Sequence, residues 1–289
     1  MDTAKESPAL LSFCTGYGGI ERGLELAGIK PRILAHVEIE AFAVENLAEK
    51  MEAGLMAPAP IWSNLKTLPM EPFQGRVDIL TGGYPCQPFS AAGKRQGEDD
   101  PRHLWPYIRR AIDTIRPRWC FFENVEGHIS MGLSDVIEDL GRMGYRTTWG
   151  IFSAEEVGAP HRRKRVFILA NSNGSRNSQS GLFHPNLSTK SGKNELANTN
   201  GEGLERRPGA DASRPEGQQQ VANGGIPRWP ARPGQPQYDW EEPRTTTKPE
   251  LGGTTNGTAN RVDRLRLLGN GVVPMTAAKA FLTLLKEFE

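Results

Sequence analysis

Short apolar runs alternate with longer amphipathic stretches from residue 8 to residue 170. The short runs are β-like and the longer ones have helical spacing. They predict strands over 9–14, 33–38, 77–81, 119–123, 147–153 and 165–170. Between them, apolar residues at helical spacing predict helices over 20–27, 41–51, 103–115 and 130–143, the last with Ser130 as N-cap and Gly144 as C-cap. A final helix over 274–288 opens on Pro274 and carries Ala277, Ala278, Phe281, Leu282 and Leu285 on one stripe, which should dock on the preceding core. Strands and helices in this alternation build βαβ units, hence an α/β fold with a mainly parallel sheet.

The pattern stops at residue 170. Residues 171–260 hold 53 Gly, Asn, Pro, Ser, Thr or Gln and only eight Val, Leu, Ile or Phe, too few to build a core of their own. The chain therefore divides into an α/β region over 1–170, a variable polar insert over 171–260, and a C-terminal segment over 261–289 that returns to the first region. An insert this long in a compact domain is either disordered or functional. The functional alternative is a substrate-reading region held by Trp229, Tyr238 and Trp240.

Composition narrows the classes. Nowhere do eighteen apolar residues run together, and residues 1–7 lack the apolar core of a secretion signal, so a cytoplasmic protein without membrane association is expected. Cys14, Cys86 and Cys120 are three, with no CxxC or His/Cys cluster, so neither a disulfide framework nor a metal site is indicated. With 35 Lys and Arg against 34 Asp and Glu, any nucleic-acid role must rest on local basic patches.

Candidate chemistry collects at predicted strand ends. Phe13-Cys14-Thr15-Gly16-Tyr17-Gly18-Gly19 runs from a strand into a helix, where glycines admit a cofactor to the backbone, although such turns also serve as plain connections. Glu38 ends the next strand, where a carboxylate can accept hydrogen bonds from ribose hydroxyls. Cys86 follows another strand, between Pro85 and Pro88, where a thiolate would be presented rather than packed; the alternative is a small buried thiol. Glu123 leaves the apolar Cys120-Phe121-Phe122 with a carboxyl that burial would make a proton donor, or is an ordinary loop carboxylate. In His161-Arg162-Arg163-Lys164-Arg165, strand alternation should put Arg163 and Arg165 on one side, and with Lys94, Arg95 and Arg102 the run offers phosphate contacts.

In this order the motifs resemble those of the cytosine-C5 DNA methyltransferases: residues 13–19, Glu38, Pro85-Cys86-Gln87, Glu123-Asn124-Val125, Arg163-Lys164-Arg165 and Gly269-Asn270-Gly271-Val272-Val273-Pro274. The resemblance covers all but 171–260, where this family places its target-recognition region, and the short insert looks most like compact phage and prophage members. It implies a class I S-adenosylmethionine-dependent methyltransferase fold, Rossmann-like, with double-stranded DNA as substrate. It assigns Cys86 to attack on cytosine C6, Glu123 to N3, Asn124 to fixing the loop, and Arg165, supported by Arg163, to the flipped base. For the S-adenosylmethionine cofactor it implies Phe13, Gly16, Gly18, Gly19, Glu38, Ile39, Asn64, Leu65, Pro85 and Asn270.

Three positions depart from the family pattern. Ile39 stands where many relatives carry an aromatic, Asn64 where an Asp is usual, and His161 where a Gln is usual. Alternative readings are methylation of transfer RNA, against which stands the lack of a Cys-Phe-Thr signature, and a catalytically silent DNA-binding or regulatory homologue, against which stand Cys86 and Glu123. Monomeric action is expected, with a cognate restriction endonuclease as a candidate partner.

Overall fold

The computed structural model describes residues 7–85, 104–172, 236, 238 and 269–289. Seven strands form one sheet: β1 (Ala9–Phe13), β2 (Arg32–Val37), β3 (Ile61–Trp62), β4 (Ile79–Gly82), β5 (Trp119–Val125), β6 (Tyr145–Phe152) and β7 (Arg165–Ser172). Their spatial order is β3-β2-β1-β4-β5-β7-β6. Pairings from β3 across to β5 are parallel, and β7 alone runs against both its neighbours. The helices bounded within the described residues are α1 (Gly19–Leu26), α2 (Ala41–Glu52), α3 (Trp105–Ile115), α4 (His128–Met131), α5 (Leu133–Arg142) and α6 (Pro274–Leu285).

Alternate residues of the central strands feed two cores, one on each face. Leu11, Phe13, Leu80, Phe122 and Ile168 pack with Ile108 and Ile112 of α3 and with Val136 and Leu140 of α5. Leu10, Ile79, Phe121, Phe167 and Leu169 pack with Leu24 of α1 and with Ala277, Phe281 and Leu284 of α6. Burial on both faces is why these strands read as continuous apolar runs. The C-terminal helix docks as its stripe requires, and it lies against α1 because Gly23 leaves room: a Cβ there would come 2.6 Å from Ala277 Cβ and 2.9 Å from the Pro274 carbonyl oxygen. Gly23→Val is therefore expected to destabilise the protein by about 1–3 kcal/mol, the usual cost of overpacking a tight contact. Denaturant unfolding of the purified variant measures it, and wild-type stability would contradict the contact.

The structure corrects four details. The helix expected over 130–143 is two helices, broken at Gly132 (φ 155°), so Ser130 is no N-cap and its Oγ instead donates to the Gly127 carbonyl, 3.2 Å away. Gly144 lies one residue beyond the C-cap, Met143, with φ 86°, and its amide closes the helix on Gly141. The last helix stops at Leu285 and becomes a 3-10 turn, Lys286–Phe288. Edge strand β3 escapes the sequence pattern because two residues have no periodicity to read.

The topology also locates a crevice. From β1 the chain builds β2 and β3 on one side and then crosses to β4 and β5 on the other. Where the winding reverses, the carboxyl ends of adjacent strands leave an opening that helices do not cover. The loops after β1, β2, β4 and β5 all emerge there.

Candidate functional site

After β1 the backbone turns through left-handed conformations at Cys14 (φ 49°), Gly16 (φ 57°) and Gly18 (φ 84°) before entering α1. The turn is tied to β2 by Glu38, which is buried. Its Oε2 accepts from the Gly16 amide at 2.7 Å, and its Oε1 accepts from the Ile39 and Glu40 amides at 2.8 and 2.9 Å. Ile39 beside it is 69% exposed, an apolar surface at the mouth of the crevice. Asn64 caps the short 3-10 helix Leu65–Thr67, its Oδ1 accepting from the Lys66 amide at 2.9 Å. One lone pair of that oxygen stays available for a second donor. Leu65 is buried, and Pro85 and Asn270 are exposed. Phe13 is fully buried in the sheet core, and Gly19 faces the last segment, where a Cβ would collide with the Val272 carbonyl.

At the end of β5, Glu123 is 5% exposed. Its Oε1 meets Arg165 Nε at 2.9 Å. Burial pushes the carboxyl up to about 7, against the lowering pull of Arg165 and Arg163. The antiparallel course of β7 makes the pairing possible, because it sets Arg165 opposite Val125, at the carboxyl end of β5. A parallel β7 would begin at the far edge. Gly83, after β4, lies against the same carboxyl, since a Cβ there would be 3.4 Å from Glu123 Oε2.

Asn124 fixes the entry to the cysteine-bearing loop. Its Nδ2 donates to the Tyr84 carbonyl at 3.1 Å while its Oδ1 accepts from the Val125 amide. The Tyr84 hydroxyl is 3.1 Å from His128 Nε2, and its ring lies 5.8 Å from that of Trp105. Cys86, Lys94, Arg95 and Arg102 lie outside the described residues. Of the described cysteines, burial pushes Cys14 up to about 12, aided by Glu38, and raises Cys120 further, so neither supplies a thiolate near neutral pH.

Arg163 and Arg165 do share a side, though not by strand alternation, since β7 begins only at Arg165. Arg163 precedes it with φ 39° and spends Nη2 on the carbonyls of Gly269 and Gly271, at 2.6 and 2.5 Å. Arg162 and Lys164 point elsewhere, to Glu155 at 3.7 Å and Glu126 at 3.5 Å. Sequence reasoning missed Tyr17, whose hydroxyl donates to the Val272 carbonyl, and Lys50, whose Nζ donates to the Tyr17 carbonyl at 2.7 Å. Neither carried a local signal. Also missed was a buried polar group on β2, β4 and α1, in which Thr81 Oγ1 donates to Glu21 Oε1 at 2.7 Å near His36.

Comparison with known proteins supplies independent information. The family profile described as C-5 cytosine-specific DNA methylase matches residues 9–226. Type II methyltransferase M.NaeI of Lentzea aerocolonigenes is 33% identical over 170 residues, 57% of this chain and 40% of that protein. Type II methyltransferase M.NgoMIV of Neisseria gonorrhoeae is 33% identical over 168 residues, 55% of this chain and 50% of that protein. The aligned stretch thus spans half or less of these relatives. Among solved structures, a variant of DNMT2 from Spodoptera frugiperda superposes with a TM-score of 0.51 at 23% identity, covering 59% of this chain and 51% of that one, a shared fold.

Proposed function

The chain belongs to the C-5 cytosine-specific DNA methylases, and from that membership we propose that it transfers a methyl group from S-adenosylmethionine to C5 of a cytosine in double-stranded DNA, through a covalent bond between Cys86 and C6. The observation that carries the reading is Glu123: a buried carboxyl titrating near neutrality, paired with Arg165 at the carboxyl edge of the sheet. That is the group a cytosine ring requires when its N3 becomes basic.

The residues around the turn fit the cofactor. Glu38 is a preorganised carboxylate with acceptor capacity left for a ribose hydroxyl, Gly16 and Gly18 keep the backbone open, and Ile39 offers an apolar face for a purine. Asn64 and Leu65 would border the base, and Phe13, Gly19, Pro85 and Asn270 would shape the walls. When bound, S-adenosylmethionine supplies an electrophilic methyl group on a sulfonium.

The chain's own groups do the rest. The Cys86 thiolate adds to C6, and the electron pair displaced from the C5–C6 bond makes C5 nucleophilic. Glu123 gives its proton to N3 and so prevents charge from accumulating on the ring. Arg165, held on Glu123, faces the pyrimidine edge and keeps the carboxyl in place. After transfer, water takes the C5 proton, whose bonding pair restores the C5–C6 double bond and expels Cys86 as thiolate, and the N3 proton returns to Glu123. Because C6 is stacked inside duplex DNA, the target must be extruded, at a cost of a few kcal/mol. Residues 171–260 are assigned to reading the target sequence, with Lys94, Arg95 and Arg102 contributing phosphate contacts.

Incubating the protein with S-adenosylmethionine and either duplex DNA or bulk transfer RNA, then weighing the digested nucleosides, tests the assignment. We expect 5-methyl-deoxycytidine from DNA alone. Product in RNA alone would overturn the substrate while keeping the chemistry, and product in neither would overturn both.

A further inference from the structure

Tyr17 carries its ring out of the glycine-rich turn and onto the segment that precedes α6. Its hydroxyl donates to the Val272 carbonyl. A Cβ on Gly271 would collide with the ring, so the two are in contact only because residue 271 has no side chain. Arg163 holds the same segment through the Gly269 and Gly271 carbonyls. Its backbone sits at φ 39°, a conformation that surroundings must impose on a residue with a side chain. Lys50 secures Tyr17 from another side, donating to its carbonyl at 2.7 Å with Nζ 5.1 Å from the ring centroid. Residues 269–272 thus bridge the turn and Arg163.

Arg163 in turn stands among the charges that act on Glu123. Among the described residues, the neighbours of that carboxyl with a charge or a titratable proton are Arg165 on β7, Arg163 ahead of it and Tyr17 from the turn. Arg165 bonds the carboxyl directly, whereas the bonds Arg163 makes through Nη2 go to carbonyls and its buried Nε has no hydrogen-bond partner among the described residues. Arg163 therefore acts on Glu123 through its field, and that field depends on where the bridge holds it.

Resting on the methyl-transfer reading above, we infer that Tyr17 is a positioning residue of that centre: by fixing the 269–272 segment it holds Arg163 beside the Glu123–Arg165 pair. Freed from its hydroxyl bond, the segment lets Arg163 move toward water, where screening weakens its effect on the carboxyl. Glu123 then keeps its proton to higher pH, because one of the two cations that favour its ionised form is withdrawn.

The titration of Glu123 in the free protein reads this without any turnover. With carboxyl-13C glutamate incorporated, and the resonance assigned by its absence in Glu123→Gln, NMR follows the midpoint in wild type, Tyr17→Phe, Arg163→Met and the double variant. Tyr17→Phe is expected to raise the midpoint by about half a pH unit. Arg163→Met should raise it at least as far, and the double variant no further than Arg163→Met alone, because the two act in series. An unchanged midpoint in Tyr17→Phe, or additive shifts in the double variant, would overturn the assignment. Should Tyr17→Phe fail to fold, Lys50→Met loosens the same residue from its other anchor with the same expected direction, and an unchanged midpoint there overturns the assignment equally. A wild-type protein that failed to methylate DNA would overturn the proposed reaction and leave the titration result standing.

Discussion

Cys86→Ser is expected to bind duplex DNA as wild type does and to turn over at least about a thousandfold more slowly, the scale on which removal of a covalent nucleophile acts. A serine hydroxyl is not ionised near neutral pH, whereas a cysteine at pH 7 already supplies some thiolate. On the proposed reading, binding draws on Lys94, Arg95, Arg102 and residues 171–260, which the substitution leaves in place. Duplex DNA carrying 5-fluorocytosine separates the two effects. Fluorine at C5 cannot leave as a proton, so wild type should remain attached to it in denaturant and Cys86→Ser should not. Full activity in Cys86→Ser, or an adduct to another residue, would overturn the nucleophile. Cys14 and Cys120 are no substitutes, since burial holds both thiols well above the usual range.

Glu123→Gln is expected to slow single-turnover methyl transfer about a hundredfold or more, the contribution of a positioned proton donor. Glutamine keeps the shape and can still accept from Arg165, so the loss measures the proton rather than the fold. The pH dependence gives a second reading. Burial places the midpoint of Glu123 at about 7. The donor form is protonated, so the contribution of Glu123 to wild-type transfer should be present below that pH and lost above it, and Glu123→Gln should lose that alkaline limb. A glutamine variant with the wild-type rate, or one that keeps the limb, would remove Glu123 from the reaction. Cys86 titrates in the opposite sense, because its thiolate is the active form. Any acid limb that survives in Glu123→Gln therefore belongs to the cysteine.

Both predictions depend on a crevice whose parts were legible to different degrees. The turn at residues 13–19, the carboxylate at 38 and the carboxylate at 123 could be read because each terminates a run of apolar residues, and runs are encoded locally. The order in which such motifs occur was enough to indicate the family. The docking of α6 was also legible, as an apolar stripe of five residues must be covered by something. Ser130 and Gly144 were plausible caps, yet Gly132 breaks the helix between them at a backbone angle that composition does not announce.

The sequence by itself determined the βαβ alternation, the sites where glycine opens the backbone, and which carboxyls stand at strand ends. It did so because burial and backbone freedom are properties of neighbouring residues along the chain. Only the tertiary structure decided that β7 runs antiparallel, bringing Arg165 to Glu123. It likewise decided that Arg163 grips Gly269 and Gly271, more than a hundred residues away, and that Tyr17 reaches Val272 across nearly the whole chain. The proton affinity of Glu123 belongs to this second class. It is the balance of a desolvation cost, which the core imposes, against two positive charges that the fold alone brings close.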